Sequence, residues 1–386
     1  MSLNTERVLI LTLSFGSGHT QAARTIAREL ETQTPDAEVR IIDALEDCRR
    51  LFRAGYVWPY WAMVRYVPAL WDRFFARRIA RKIQHTAPEW SFLWGCPRVF
   101  EAIAEFKPQT IVAVEVAACE MAAIAKRAGL TDARIVNVIT DYEAEPAWVK
   151  PETDVYAVVD ERVRSQLSYW GVSEEKIETC GIPTDVRFRS GNDERTTRAR
   201  YGIYDDIPIV LIMGGGMGPT RMDRVVAHLV ENREQMHVIV VTGHDRRARR
   251  RIARFCAEPT ISLRLLGWTE DVAALMKAAS VLVTKPGGLT IAEAALCGLP
   301  LVLFDAIPGP EQRNSARVAD AGAGIVTKSP PETSLAVVSL LRDESARRRM
   351  SACSRRLARP EATVEIVRLI TNRRTSAQSR VRRMTA

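Results

Sequence analysis

No run of about 18 apolar residues occurs in the 386-residue chain, so no segment reads as a membrane-crossing helix. The N-terminus, MSLNTERVLILTLSFG, carries no basic stretch ahead of its apolar run and enters a strand at once, so no signal peptide is expected. Histidine is scarce: His19, His85, His228, His237 and His244 form no HExxH pair, and no metal site is expected. The cysteines (48, 96, 119, 180, 256, 297 and 353) are odd in number, scattered and without a CxxC, and read as free thiols of a reducing compartment. No internal repeat is visible, and only the tail is of low complexity.

What is present is a globular composition, 47% hydrophobic and 26% charged. The length exceeds one ordinary core, so two domains of about 150–200 residues are expected. A net charge of +9 calls for an anionic partner: nucleic acid, an acidic membrane or a phosphorylated ligand.

Short apolar runs alternate with amphipathic stretches. The runs are 8–13, 39–43, 111–115, 135–140 and 155–159, then 209–213, 238–241, 262–266, 281–283 and 301–304. Segments 21–31 and 290–297 are among the helical stretches. This βαβ alternation predicts an α/β protein with parallel sheets covered on both faces. The pattern breaks after Cys180-Gly181-Ile182-Pro183 and resumes at Ile207. We therefore expect two doubly wound, Rossmann-like domains facing across a cleft. The expected divisions are 1–182, a linker 183–206, a second domain 207–350, a helix 351–372 returning toward the first domain, and a disordered basic tail 373–386. In open α/β sheets ligands bind beyond the carboxyl ends of the strands.

Three loops follow strands there. Ser14-Phe15-Gly16-Ser17-Gly18-His19 opens a helix, and Gly18 allows close backbone approach to a ligand. A plain βα turn is the alternative, and a dinucleotide fingerprint fails at Gln21, where its third glycine would stand. The second loop holds Gly214, Gly215, Gly216 and Gly218, which can wrap a diphosphate with backbone donors. The third is Thr284-Lys285-Pro286-Gly287-Gly288-Leu289-Thr290. Thr290 can cap the following helix with Glu293 at its third position, a purely structural pairing. Alternatively the two oxygens of Glu293 match a vicinal diol, as in ribose. Glu311 and Asn314, three apart at a helix start, share a face that can hydrogen-bond sugar hydroxyls.

The segment TKPGGLTIAEAALCGLP followed by IPGPEQRN resembles the donor-binding half of glycosyltransferases of the GT-B fold. It is most similar to the group of monogalactosyldiacylglycerol synthase and processive diacylglycerol glucosyltransferase, with the muropeptide N-acetylglucosaminyltransferase more distant. SFGSGH, VITDY, GIP and MGGGMG occur in matching order. The resemblance implies an inverting transfer from a UDP-sugar (UDP-glucose or UDP-galactose), with no cofactor and no metal. It implies that Gly214–Gly218 and Gly287–Thr290, with Lys285, cradle the diphosphate. Glu293 would take the ribose, Glu311 and Asn314 the sugar, and Gly267-Trp268 the uracil. His19 would be the general base on the acceptor, with Asp141 as second candidate or as the group orienting His19. Pro310 stands where the family often has glutamine. The segment Thr140-Asp141-Tyr142-Glu143-Ala144-Glu145 lacks the histidine that often follows the TD pair.

Residues 49–82 contain nine Arg or Lys, one Asp and nine aromatics. Leu70, Trp71, Phe74, Phe75 and Ile79 recur at helical spacing, flanked by Arg73, Arg77, Arg78 and Arg81. Such a segment suits an anionic bilayer surface; a core helix with a solvated basic face is the alternative. Nucleic acid is not expected as a partner, because no nucleic-acid module accompanies the segment. The basic run Asp245–Arg251 reads as a solvated helix start. The expectation is a cytoplasmic enzyme attached to the inner face of the cell membrane, moving a hexose to a lipid acceptor. A muropeptide-type transferase, a UDP-sugar epimerase and a non-catalytic UDP-sugar sensor are the competing readings.

Overall fold

The computed structural model describes residues 6–190, 194–214, 221–256 and 261–371. The first sheet comprises β1 (Arg7–Thr12), β2 (Glu38–Asp43), β3 (Thr110–Ala113), β4 (Arg134–Val138), β5 (Val155–Val158) and β6 (Ile177–Thr179). Its order is β2-β1-β3-β4-β5-β6. The second comprises β7 (Ile209–Met213), β8 (His237–Val241), β9 (Ser262–Leu266), β10 (Val281–Thr284), β11 (Leu301–Leu303) and β12 (Gly324–Val326). Its order is β12-β11-β10-β7-β8-β9. Every pairing is parallel. The two doubly wound domains expected from the βαβ pattern are therefore present. The short edge strands β6 and β12 were not expected.

β1 shows why its run is continuous rather than alternating. Val8 and Ile10 pack on one face against Ala23 and Ile26, while Leu9 and Leu11 pack on the other with Phe92, Ile103 and Met121. Each such fully buried aliphatic side chain contributes about 1.5–3 kcal/mol. The helix Ala362–Thr371 returns to this sheet through Ile366, Val367 and Ile370. Thr363 fixes it there, bonding both the amide and the carbonyl of Thr184.

Two expected divisions need correction. Residue 351 falls inside the helix Glu344–Leu357, which stays with the second domain: Ser351 Oγ donates to the Gly298 carbonyl at 2.6 Å. The stretch 183–206 is not a bare linker. It carries the turn Val186–Phe188 and the helix Glu194–Arg200, with Thr197 and Arg198 buried. The tail 373–386 lies outside the described residues.

Strand order locates the site. In the first sheet the winding reverses between β1 and β3, and in the second between β7 and β10. Ligands of such sheets sit in the crevices at these reversals.

Candidate active site

Loops from both reversals line one cleft of about 380 Å³. From the first domain come Phe15–His19, Gln21, Tyr60, Trp61 and Asp141; from the second come Lys285, Gly287–Thr290, Glu293, Trp268 and Glu311. The helices Ser17–Gln33 and Gly288–Cys297 both start at this cleft. Their N-cap residues, Gly16 and Gly287, offer no side-chain cap, and neither first turn holds an acid. The leading N–H groups and the positive ends of two helix dipoles are thus left for an anion between the domains. Lys285, 6% exposed, adds a cation to the same wall.

The domains meet tightly here. A Cβ on Gly288 would overlap the Thr140 carbonyl oxygen and stand 3.2 Å from Asp141 Cα. A Cβ on Gly18, across the cleft, would stand 3.9 Å from Leu289 Cβ, an ordinary contact. Asn314 ties the same junction: its Nδ2 donates to Asp141 Oδ1 at 2.9 Å and to the Pro286 carbonyl at 3.0 Å, and its Oδ1 accepts from the Tyr142 amide at 3.0 Å. Arg317 on Asp160, and Arg313 on Glu143, add ion pairs between the domains.

His19 is the third residue of its helix and bridges the reversal in the first sheet. Its Nδ1 lies 3.1 Å from the Val114 carbonyl, just beyond β3, and 3.1 Å from Thr140 Oγ1. A carbonyl oxygen only accepts, so Nδ1 carries the proton and Nε2 keeps its lone pair. Burial holds the His19 pKa below the usual imidazole value, against the opposing pull of the Asp141 charge and the Val114 bond. The ring is therefore a neutral base at pH 7. The expectation that Asp141 orients His19 is corrected. Val114 and Thr140 hold the ring, and Asp141 acts on it only through its charge.

In the second domain the cap of Gly288–Cys297 is Gly287, not Thr290, so the expected Thr290–Glu293 capping pair does not form. Glu293 is left with its carboxyl in the cleft wall. Burial and the nearby Asp185 charge raise its pKa to about 8, with Arg187 pulling the other way. Glu311 also lines the cleft. It accepts from the Ile307 amide at 2.7 Å and lies 3.9 Å from Lys285 Nζ. Its pKa is raised by burial, opposed by Lys285.

Asn314 does not join it in the cleft. It is fully buried with its amide satisfied as described, so the expectation that it touches a sugar is replaced by a role in locking the domains. Trp268, 46% exposed, stands at the rim with His244 stacked on it, ring centres 4.8 Å apart. Gly214 is buried at the end of β7, next to the cleft-lining Met213. Gly215, Gly216 and Gly218 lie outside the described residues. Among the described residues no group of three or more His, Cys, Asp or Glu is placed to hold a metal.

Sequence reading missed several lining residues. Arg24 and Arg28 extend from the His19 helix, and Arg28 pairs with Asp185 at 3.0 Å. Arg187 is held by that same Asp185 and donates to the Glu270 carbonyl at 3.2 Å. The DVR triplet after GIP was a usable signal, since it follows a strand end. Phe15, Tyr60 and Trp61 form an aromatic wall, with edge-to-face contacts of Tyr60 on Phe15 and on Trp61.

Segment 49–82 folds into the helices Arg50–Tyr66 and Pro68–Ala80. Its expected apolar stripe divides. Leu70 and Phe74 face out, as do Trp58 and Tyr66, whereas Trp71 and Phe75 are buried. Arg78 is corrected from surface charge to buried partner of Glu145, at 3.1 Å. Arg73, Arg77 and Arg81 remain exposed. No described helix is long and apolar enough to cross a membrane.

Comparison with known proteins agrees with the two-domain fold. Residues 19–184 match the monogalactosyldiacylglycerol (MGDG) synthase family and residues 209–362 the glycosyltransferase family 28 C-terminal domain. A processive diacylglycerol beta-glucosyltransferase of Bacillus subtilis is 26% identical over 348 residues, covering 89% of each chain. The crystal structure of MurG from Acinetobacter baumannii superposes with a TM-score of 0.62 at 16% identity, over 95% of this chain and 99% of that one. Anabaena HepE in complex with UDP-glucose gives 0.56 at 16% identity, over 94% and 98%. Both structures share the two-domain fold.

Proposed function

The chain belongs to the GT-B glycosyltransferases that join an MGDG-synthase-type first half to a family 28 donor domain, and on that premise we propose that it transfers a hexose from UDP-glucose or UDP-galactose to a lipid hydroxyl such as that of diacylglycerol. The carrying observation is the shared cleft: a neutral, pre-oriented imidazole and one uncapped helix N-terminus on the first domain's wall, and a second uncapped helix N-terminus with Lys285 on the other.

The acceptor oxygen attacks the anomeric carbon from the face opposite the diphosphate. A new C–O bond forms as the bond to the β-phosphate oxygen breaks, and UDP leaves with that electron pair. The acceptor proton passes to His19 Nε2. Attack on an α-linked donor gives a β-linked product. The helix N-termini and Lys285 face the position where leaving-group charge develops. Glu293 receives the ribose diol, Trp268 the uracil, and Glu311 the sugar.

Glu293 gives this donor reading a pH signature. Its ionised form accepts both ribose O–H groups, and its pKa near 8 means the empty site holds the proton at neutral pH. Binding must then expel that proton, at a cost approaching tenfold in affinity per pH unit below 8. UDP affinity is expected to rise from pH 6 to 8, and Glu293→Gln to flatten the rise. A wild-type titration that is flat over this window contradicts the ribose assignment.

The outward face of the helices 50–66 and 68–80 supplies the route to the acceptor. Arg73 and Arg77 flank exposed Leu70 and Phe74, a basic–aromatic surface suited to an anionic bilayer. At about 1 kcal/mol per engaged cation, four of the exposed basic residues give roughly 10³ in partitioning. This supports reversible attachment at the cytoplasmic face of the membrane. The test uses phosphatidylglycerol vesicles carrying diacylglycerol and radiolabelled UDP-glucose or UDP-galactose. Label is expected in the organic phase as a β-hexoside, and Arg73→Glu with Arg77→Glu is expected to reduce both co-sedimentation and transfer at least tenfold. Interconverted or merely bound donor contradicts transfer; unchanged co-sedimentation of the variant contradicts the membrane face.

A further inference from the structure

We propose that Trp71, on the first domain, positions the sugar-binding carboxylate Glu311 of the second; the inference rests on the donor reading above. Trp71 does not line the cleft. Its indole Nε1 donates to the Pro308 carbonyl at 3.1 Å in a buried contact that spans the two domains. Ile307, one residue earlier, packs into the cluster of Val64, Trp71 and Phe75. The Ile307 amide in turn donates to Glu311 Oε2 at 2.7 Å. One short loop thus has Trp71 on one side and the Glu311 carboxylate on the other.

The far end of the loop is gripped as well. Gly309 has φ of +90°, and a Cβ there would stand 3.0 Å from Phe75 Cγ. The Arg313 guanidinium lies 5.3 Å over the Phe75 ring. Pro310 then begins the helix that carries Glu311 in its first turn. A loop fixed by its own domain alone would need none of these contacts. Because binding constellations must be held to within about 0.5 Å, the helix Pro68–Ala80 takes part in donor selection without touching the donor.

The same helix presents Leu70 and Phe74 outward, one residue before Trp71 and Phe75 respectively. Any displacement of this helix moves the loop and Glu311 with it. Trp71 is therefore a positioning residue, and its loss should weaken recognition of the sugar but not of the nucleotide.

The experiment is titration of UDP, UDP-glucose and UDP-galactose into wild type, Trp71→Phe and Glu311→Gln, without acceptor. Trp71→Phe keeps an aromatic ring in the cluster while removing the N–H donor together with the volume of the second ring. Expected is a roughly three- to tenfold weaker binding of the preferred sugar nucleotide, the size of one lost buried hydrogen bond, with UDP itself unchanged within about twofold. A purely structural role would weaken all three ligands alike. Should Trp71→Phe not fold, Gly309→Ala displaces the loop from the Phe75 side and is expected to give the same split. If Glu311→Gln alters sugar discrimination while Trp71→Phe and Gly309→Ala do not, the link is overturned and the donor reading survives. If Glu311→Gln has no effect on discrimination, both fall together.

Discussion

Replacing His19 with alanine is expected to lower kcat by about 10²–10⁴ while leaving UDP affinity within about twofold. The asymmetry follows from where the ring sits. Val114 and Thr140 hold Nδ1, so Nε2 is the one basic atom the residue offers the cleft. The proposed anion cradle consists of backbone N–H groups and Lys285, which the substitution does not touch. The pH profile carries the same signature. Burial lowers the His19 pKa, so at saturating donor, where Glu293 is already ionised, the acid limb of kcat should lie below the ordinary imidazole value of about 6.5 and vanish in the variant. Steady-state kinetics with isothermal titration of UDP separates the effects. Near-normal turnover by the variant would remove His19 from the mechanism.

Gly288→Ala is expected to lower kcat/KM by about 10² or more, although the position is helical and alanine favours helix by roughly 1 kcal/mol over glycine. The added methyl overlaps the Thr140 carbonyl, a rigid backbone atom on the opposite domain. Relief requires the domains to part there, which separates His19 from the donor loops and breaks the Asn314 bonds to Asp141 and Tyr142. A misplacement of about 1 Å suffices for a hundredfold loss. Thermal unfolding should show the second domain no less stable than in wild type. Full activity in this variant would mean that the closed junction is not the working one.

The fold was legible because most strands are buried on both faces and read as unbroken aliphatic runs, β1 and β7 most clearly. β6 and β12 escaped notice because Ile177-Glu178-Thr179 and Gly324-Ile325-Val326 are too short to show a period. The glycine loops and His19 stood out because strand ends in parallel sheets are where sites form. Their partners did not: Val114 and Thr140 reach His19 across 95 and 121 residues of sequence, and no local pattern encodes that contact. Asn314 was misread for a related reason. Helical spacing places it on the face of Glu311 but does not say which part of that face the first domain covers. The same ambiguity hid the division between Leu70 with Phe74 and Trp71 with Phe75. A helix with two adjacent apolar stripes does not reveal in sequence which one meets a neighbouring domain.

A crystal structure with UDP bound is the most direct test of the central claim, that both sheet reversals close on one nucleotide-sugar. The diphosphate is expected between the N-termini at Ser17 and Gly288, the ribose on Glu293 and the uracil against Trp268. A diphosphate that leaves either helix N-terminus empty, or a nucleotide bound away from Glu293, would contradict it.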